Sequence, residues 1–501
     1  MPQAEKSKSF QESVPTLVRL VQDVYLADDR PWIIGFSGGK DSTCVLQLVW
    51  MALLGLAPEQ RTKKVYCISS DTFVEMPLIE EYLHQMITQL NQAASAQQLP
   101  LAAHAVCPDI DETFWVNMIG RGYPAPYRNF RWCTDRMKIK PTSRFIKDKI
   151  AAHGEVVVIL GVRKAESSAR AGSMQQERVT ESGKRVGRKM VGKFLSQHKD
   201  LPSALVFSPI EDWSTEDVWE FLRTTPPPWG GDHLRLEELY RNAQKADDDG
   251  EDELAEQTFG NSRFGCWTCT VVQRDLSMEA FIEKGESWLK PLLQFRDDLM
   301  ETFERDFKLR HREHRRRTGQ VVTKPGKDGS TILIWGPFTL EYRKELLTKL
   351  LRTQEEVRVL KNDPHIALIK PEELLRIRQL WRAEEADWED SLPAIYESVT
   401  GHPFDVPRDD WSGMGKVEFD ILSKVCSEHE LPMGLLTDLF SVEKRHSGMS
   451  RRAQIFNNIH SVFSKDWRSR EEVFQEIGYE ASLELSGVGD ILHAAEKNNA
   501  G

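Results

Sequence analysis

The apolar pattern of the chain changes period at short intervals, and those changes outline its elements. Trp32-Ile33-Ile34-Gly35-Phe36 is an apolar run that predicts a buried strand, whereas from Thr43 to Leu54 apolar residues recur at helical spacing. Between them Ser37 to Ser42 is polar and glycine-bearing, so the stretch reads strand, tight turn, helix. Further strands are predicted at Lys64–Ser70, Leu101–Cys107, Glu155–Leu160 and around Val206-Phe207. A helix is predicted over Pro77–Ala96 and another behind a cap at Ser214 or Thr215. Upstream, Ser13 before Val14-Pro15 marks a helix start, and Phe10, Val14, Leu17, Val18, Val21, Val24 and Tyr25 form its apolar stripe. Strands alternating with helices, without an internal repeat, predict an α/β fold with a doubly wound, mainly parallel sheet. Beyond Cys269 helical periodicity dominates, notably over Pro371–Trp388 and Val417–Ile477. The expected organisation is a sheet domain over residues 1–225, an acidic and cysteine-bearing segment over 226–300, a helical region with a basic run over 301–400, and a helical region over 401–501.

Composition narrows the class. The 501 residues are 40 % hydrophobic and 29 % charged, the balance of a soluble globular protein with roughly two to four domains. No stretch approaches the apolar length a membrane span needs, and MPQAEKSKSF lacks an apolar signal core, so a cytoplasmic location without membrane contact is expected. Seven cysteines without a secretion signal argue for metal or redox chemistry over a disulfide framework. The net charge of -11 argues against non-specific coating of nucleic acid and leaves room for a local basic site. Lys308-Leu309-Arg310-His311-Arg312-Glu313-His314-Arg315-Arg316-Arg317 is the strongest basic run. On a helix it would neutralise DNA phosphates, unless it serves as a solvated face or a dock for the acidic run Asp247–Glu253.

The turn Ser37-Gly38-Gly39-Lys40-Asp41-Ser42 is the strongest chemical signal. Its glycines let backbone amides approach an anion, its serines add hydroxyls, Lys40 adds a charge, and the helix that follows presents unpaired N–H groups. It is not a Walker A loop, because Asp41 follows Lys40 where Ser or Thr should stand. Asp71, at the end of the second strand with Glu75 close behind, is placed for a ribose hydroxyl or a magnesium-bound water, or for an ordinary Asp-Thr turn. Arg163 and Arg170 follow the strand that ends at Gly161, where guanidinium groups can meet phosphate oxygens. The glycine-, proline-, aromatic- and cation-rich stretch from Gly120 to Pro141 suits a loop shaped around an anionic substrate, and the polar stretch 174–199 a loop over the site. Cys133 lies in the first of these loops, and Gly265-Cys266-Trp267-Thr268-Cys269 is a C-x-x-C. An iron–sulfur cluster, a zinc site or a redox dithiol all remain open on the cysteines alone.

SGGKDS resembles the PP-loop of ATP pyrophosphatases. With SSDT, RWCTDRMKIKP, GVRKAESSAR and SPIEDWSTEDVW, it is similar to the phosphoadenosine-phosphosulfate reductase branch of those enzymes. YLADDRPWIIGFSGGKDST, GRGYPAPYRNFRWCTDRMKIKP and NSRFGCWTCTVV resemble the DndC-type sulfurtransferases of bacterial DNA phosphorothioation, and the counterpart in single-strand phosphorothioation fits nearly as well. The resemblance covers about the first 300 residues. It implies ATP and Mg2+ as cofactors, with Ser37, Gly38, Gly39, Lys40, Asp41, Ser42, Asp71 and Gly161 around the nucleotide, and Lys40, Asp41, Arg163 and Arg170 in catalysis. It further implies a 4Fe-4S cluster on Cys133, Cys266 and Cys269, with DNA, a cysteine desulfurase and other phosphorothioation subunits as partners. The family pattern places a fourth cysteine shortly before NSRFGCW, where this chain has Thr258-Phe259-Gly260-Asn261-Ser262. A fourth bond then falls to Cys107, to a non-cysteine group, or to none, leaving an iron open to sulfide. An adenylyl-sulfate reductase, a tRNA-thiolating enzyme and a nucleotide-sensing subunit without catalysis are the rival readings.

Overall fold

The computed structural model describes residues 2–164, 194–243, 265–326, 329–406, 415–446 and 454–478. Arg170, the stretch 165–193, the acidic run 247–253 and the run Thr258–Ser262 lie outside the described residues. The chain divides into two compact units, Met1–Thr113 with Tyr127–Leu293, and Phe114–Pro126 with Gln294–Gly501. This division differs from the four segments expected. The C-x-x-C segment folds with the sheet, and residues 114–126 leave the sheet unit for the helical one.

The first unit is a six-stranded sheet with flanking helices. Its strands are β1 Trp32–Gly35, β2 Val65–Ser70, β3 Leu101–Val106, β4 Val156–Ile159, β5 Leu195–Gln197 and β6 Ala204–Phe207, in the order β3-β2-β1-β4-β6-β5. All neighbours pair in parallel except β5, an antiparallel edge strand. β5 takes up residues expected to belong to a polar loop. Trp32 opposes Val65 on one side and Val157 on the other, and Trp32, Ile33 and Ile34 are fully buried, as a strand covered on both faces requires. Strand order reverses between β1 and β4, and the carboxyl ends of strands around such a switch point are where ligands bind in open α/β sheets.

Helices α1 Pro2–Leu26, α2 Lys40–Leu54 and α3 Pro77–Ala96 precede the short turn α4 Trp132–Thr134. Next come α5 Lys140–His153, α6 Thr215–Thr224 and α7 Leu234–Asn242. α1 does not start at Ser13: it continues through Pro15, which forfeits one backbone bond without ending the helix. α6 starts as expected, with Ser214 Oγ accepting from Asp217 N at 3.1 Å and Asp217 Oδ2 accepting from Ser214 N at 2.7 Å.

The second unit is helix-rich. Its segment Val116–Gly120 is a wide π-type turn, held by Trp381 Nε1 donating to Ile119 O at 2.9 Å and Arg343 Nη1 to Gly120 O at 2.8 Å. Nearby, Trp115 Nε1 donates to Leu368 O at 2.7 Å. Helices Leu340–Lys361, Pro371–Glu384 and Ser391–Thr400 carry these partners or pack beside them. Among the described residues no helix is long and apolar enough to cross a membrane.

Candidate active site

The turn after β1 is shaped from inside. Gly38 takes φ of 73°, and a Cβ there would lie 2.5 Å from a methyl of Leu83, so only glycine fits between the turn and α3. Ser42 Oγ accepts from Ser37 N at 3.2 Å and donates to Gly39 O at 2.9 Å, while Thr43 Oγ1 donates to the same carbonyl at 2.9 Å. α2 begins without a side-chain cap, leaving its first amides and the positive end of its dipole facing an anion. The Lys40 amide donates to the hydroxyl of Tyr240, on α7, at 3.2 Å. Burial pushes the Tyr240 phenol up to about 12, so it stays a neutral acceptor.

Asp41 stands between two cations, Lys40 Nζ at 3.2 Å and Arg163 Nε at 2.6 Å. Arg163, expected at phosphate oxygens, is placed otherwise. It is 3 % exposed, and its Nη1 also donates to Trp213 O at 3.4 Å and Thr215 Oγ1 at 3.3 Å. The cause is Gly161, where a Cβ would stand 2.8 Å from the Asp41 carbonyl. The exit of β4 runs so close to the first turn of α2 that Arg163 is delivered to Asp41.

Asp71 also does local work: its Oδ1 accepts from Phe73 N at 2.9 Å, which supports the positive φ of Phe73. Its other oxygen lies 3.7 Å from His84 Nε2, and ligand atoms of Asp71, Glu80 and His84 fall within 4.8 Å of one another. Glu80 and His84 are one helical turn apart on α3, and this set could hold a divalent cation.

The cysteines gather at the end of β2. The C-x-x-C turn is fastened to the segment after that strand, with Glu75 bridged to Cys266 and Trp267 N donating to Val74 O at 3.0 Å. Cys266 Sγ lies 3.5 Å from Thr72 Oγ1 and 4.0 Å from Glu75 Oε1, and Lys138 Nζ reaches the same carboxylate oxygen at 3.0 Å. Cys133, on α4, is close enough to Cys266 and Cys269 for their charges to interact. Burial lifts the Cys133 and Cys266 thiols, with Glu75 adding to the effect on Cys266. Burial alone would lower Lys138, but Cys266 and Glu75 hold its ammonium above the ordinary value. Cys44 and Cys67 are buried in the sheet unit's core, and Cys107 is exposed.

The residues present fit a cluster. Three soft thiol donors lie within reach of one another's charge, the buried Thr268 hydroxyl, between two of them in sequence, has no acceptor among the described residues, and a cluster sulfide would give it one. Among the described residues the three sulfurs do not stand within 4.8 Å of one another, whereas the ligands of a single ion would crowd closer than those of a multi-iron cube.

β1 and β2 are neighbours about 4.8 Å apart, so the phosphate-type turn, which leaves β1, and the segment after β2, on which the C-x-x-C turn is docked, start from adjacent strand ends. Residues 31–272 match the family described as Phosphoadenosine phosphosulfate reductase domain. Over that stretch the chain is similar to this reductase domain. An uncharacterized protein of Methanocaldococcus jannaschii is 26 % identical over 256 residues, 51 % of this chain. The chain spans only 39 % of that relative's length. Among solved structures, phosphoadenylyl-sulfate reductase of Candida auris in a phosphate complex is 16 % identical, with TM-score 0.26 over 42 % of this chain and 83 % of that one. The U34-tRNA thiolase NcsA of Methanococcus maripaludis with its [4Fe-4S] cluster is 13 % identical, with TM-score 0.26 over 47 % and 73 %. Superpositions that slight assign no residue roles.

The sheet unit holds groups that the sequence pattern did not single out. Tyr240 lies 200 residues from Lys40, and nothing local marks it. Lys138 and Glu75 sit inside motifs already noted, and their pairing needed the fold. The basic run is a different correction. Its helix ends at His311, and the buried Arg312 gives Nε to Gly336 O at 2.7 Å. Arg315 Nη1 donates to Asp466 O at 3.0 Å, Arg316 Nη1 to Trp335 O at 3.1 Å, and Arg317 Nη2 pairs with Glu384 at 3.1 Å. Arg312, Arg315 and Arg316 cross-link the second unit's backbone, so the run does not lie along one helix face as expected, while Arg310, Arg316 and Arg317 stay exposed.

Proposed function

We propose that the chain cleaves ATP between its α and β phosphates and transfers sulfur to a DNA backbone phosphate activated as its adenylate. What carries this reading is the arrangement at the carboxyl ends of neighbouring strands: the SGGKDS turn follows β1, and the C-x-x-C turn is fastened to the segment that follows β2, with Cys133 in reach of it. The outer phosphates lie on the Ser37–Ser42 amides, and the Lys40 ammonium offsets the charge that develops on leaving pyrophosphate. Asp41 and Arg163 would hold the turn rigid for that purpose, and Asp71, with Glu80 and His84, would hold Mg2+. A non-bridging phosphate oxygen of DNA attacks the α phosphorus and expels pyrophosphate. Hydrosulfide then displaces AMP, leaving sulfur on phosphorus with no net change of oxidation state. A cluster on the three cysteines would supply the site that holds sulfide, which a cysteine desulfurase's persulfide would yield once a thiol reductant supplies two electrons and is itself oxidised to disulfide, and Thr268 and Lys138 would flank it.

A second reading, reduction of adenylyl or phosphoadenylyl sulfate, is favoured by the description of the matching domain. The two separate in one experiment. Anaerobically reconstituted chain receives ATP, Mg2+, labelled sulfide and DNA in one vessel, and labelled adenylyl sulfate with a thiol reductant in another. The sulfurtransferase reading expects label in nuclease-resistant dinucleotides and none in sulfite, and sulfite release alone would overturn it.

A further inference from the structure

We propose that the turn Tyr127–Arg131, immediately before Cys133, is a contact surface for single-stranded DNA. Its Tyr127 and Phe130 rings stack on an exposed base, and Arg128 and Arg131 meet the flanking phosphates. The inference rests on the reading above, because it names how the DNA substrate is held.

The turn is closed by Phe130 N donating to Tyr127 O at 2.8 Å and Tyr127 N to Phe130 O at 3.4 Å, which puts Arg128 and Asn129 at the tip. The two rings lie 5.7 Å apart at 38°, forming one broad aromatic platform, and Tyr127 is 44 % exposed. Phe130 is half-buried and backs the exposed Tyr127 ring, and any base with an open face can stack on that ring. Bases within a duplex have no open face, so the platform selects an unstacked strand. Arg128 and Arg131 are exposed, and among the described residues neither pairs with a carboxylate, unlike Arg136, Lys138 and Arg144 nearby. In a chain of net charge -11, Arg128 and Arg131 give this turn a local positive charge. Arg131 caps the turn Trp132–Thr134, so a strand held here ends beside the Cys133 thiol. In the arginine-rich run at 308–317, Arg312, Arg315 and Arg316 donate to backbone carbonyls, and no exposed aromatic platform accompanies the run among the described residues.

The test is fluorescence anisotropy of the full chain with a labelled single-stranded oligonucleotide, across a salt series and with unlabelled duplex as competitor. Tyr127→Ala and Phe130→Ala are each expected to weaken binding about tenfold, at unchanged melting temperature. Arg128→Ala and Arg131→Ala are each expected to lower the salt slope by about 0.7. Crosslinking of an iododeoxyuridine oligonucleotide should map to Tyr127 or Phe130. Variants that bind like wild type, a crosslink elsewhere, or preference for duplex would overturn the proposal. Loop-dependent strand binding by a chain that releases no pyrophosphate from ATP would support this surface while removing the catalytic reading above.

Discussion

Replacing Arg163 with Met separates two roles that the sequence could not distinguish. Arg163 is 3 % exposed and its Asp41 partner's side chain 16 %, with the closest approach at 2.6 Å. Removing one partner of a buried pair leaves an uncompensated charge, at a cost of about 3–5 kcal/mol. Asp41 keeps Lys40 at 3.2 Å and some contact with water, so the lower end applies, about 3 kcal/mol. At about 2–4 °C per kcal/mol for a domain of this size, the first unfolding transition should fall by roughly 6–12 °C. Differential scanning calorimetry of Arg163→Met, Asp41→Asn and the double variant closes the cycle. The double variant should lose much less than the sum of the singles, because each partner's removal already breaks the same pair. An Arg163→Met protein that melts like wild type but has a raised KM for ATP would refute this placement and return Arg163 to the phosphates.

Three further outcomes are expected. His233, whose Nε2 meets Gln47 Oε1 at 2.7 Å, is pushed down to about 4 by burial, against about 6.5 in the unfolded chain. Between those values the unfolded chain takes up a proton that the folded one refuses. Stability is therefore full above about pH 6.5 and falls by at most about 3 kcal/mol as pH drops to 4. Urea titrations should show that slope flattened in His233→Gln, and an unaltered slope would assign it elsewhere. Arg312→Met should lower stability by about 1–3 kcal/mol, because the Gly336 carbonyl loses its buried donor. DNA affinity in gel-shift assays should be unchanged, and the opposite pattern would make the run a binding face. Serine at Cys133, Cys266 or Cys269 should each reduce iron and acid-labile sulfide after anaerobic reconstitution, and undiminished content in all three would exclude them as ligands.

Much of the sheet unit was legible because its signals are local. An apolar run, a glycine-rich turn and an amphipathic stretch dictate β1, the phosphate-type turn and α2 within a single stretch of chain, and α3 fell on Pro77–Ala96 as read. The grouping of Cys133 with the C-x-x-C came from the family resemblance alone, because the two lie more than 130 residues apart and the docking of the C-x-x-C turn on the segment after β2 needs the fold. What the sequence hid depends on distant backbone. Whether an arginine faces solvent or a carbonyl is decided by what packs opposite it. Arg312 met Gly336 and Arg163 met Asp41, and no periodicity records either encounter. Tyr240 closes over Lys40 for the same reason: its helix reads as an ordinary amphipathic surface helix until the fold brings it to the turn.

The most direct test of the central claim is the product of ATP turnover. Incubating the anaerobically prepared chain with ATP labelled at the α and γ phosphates, Mg2+ and single-stranded DNA should yield AMP-level products and intact labelled pyrophosphate. Lys40→Met should abolish both. Formation of ADP and inorganic phosphate instead, or turnover indifferent to Lys40, would contradict the account.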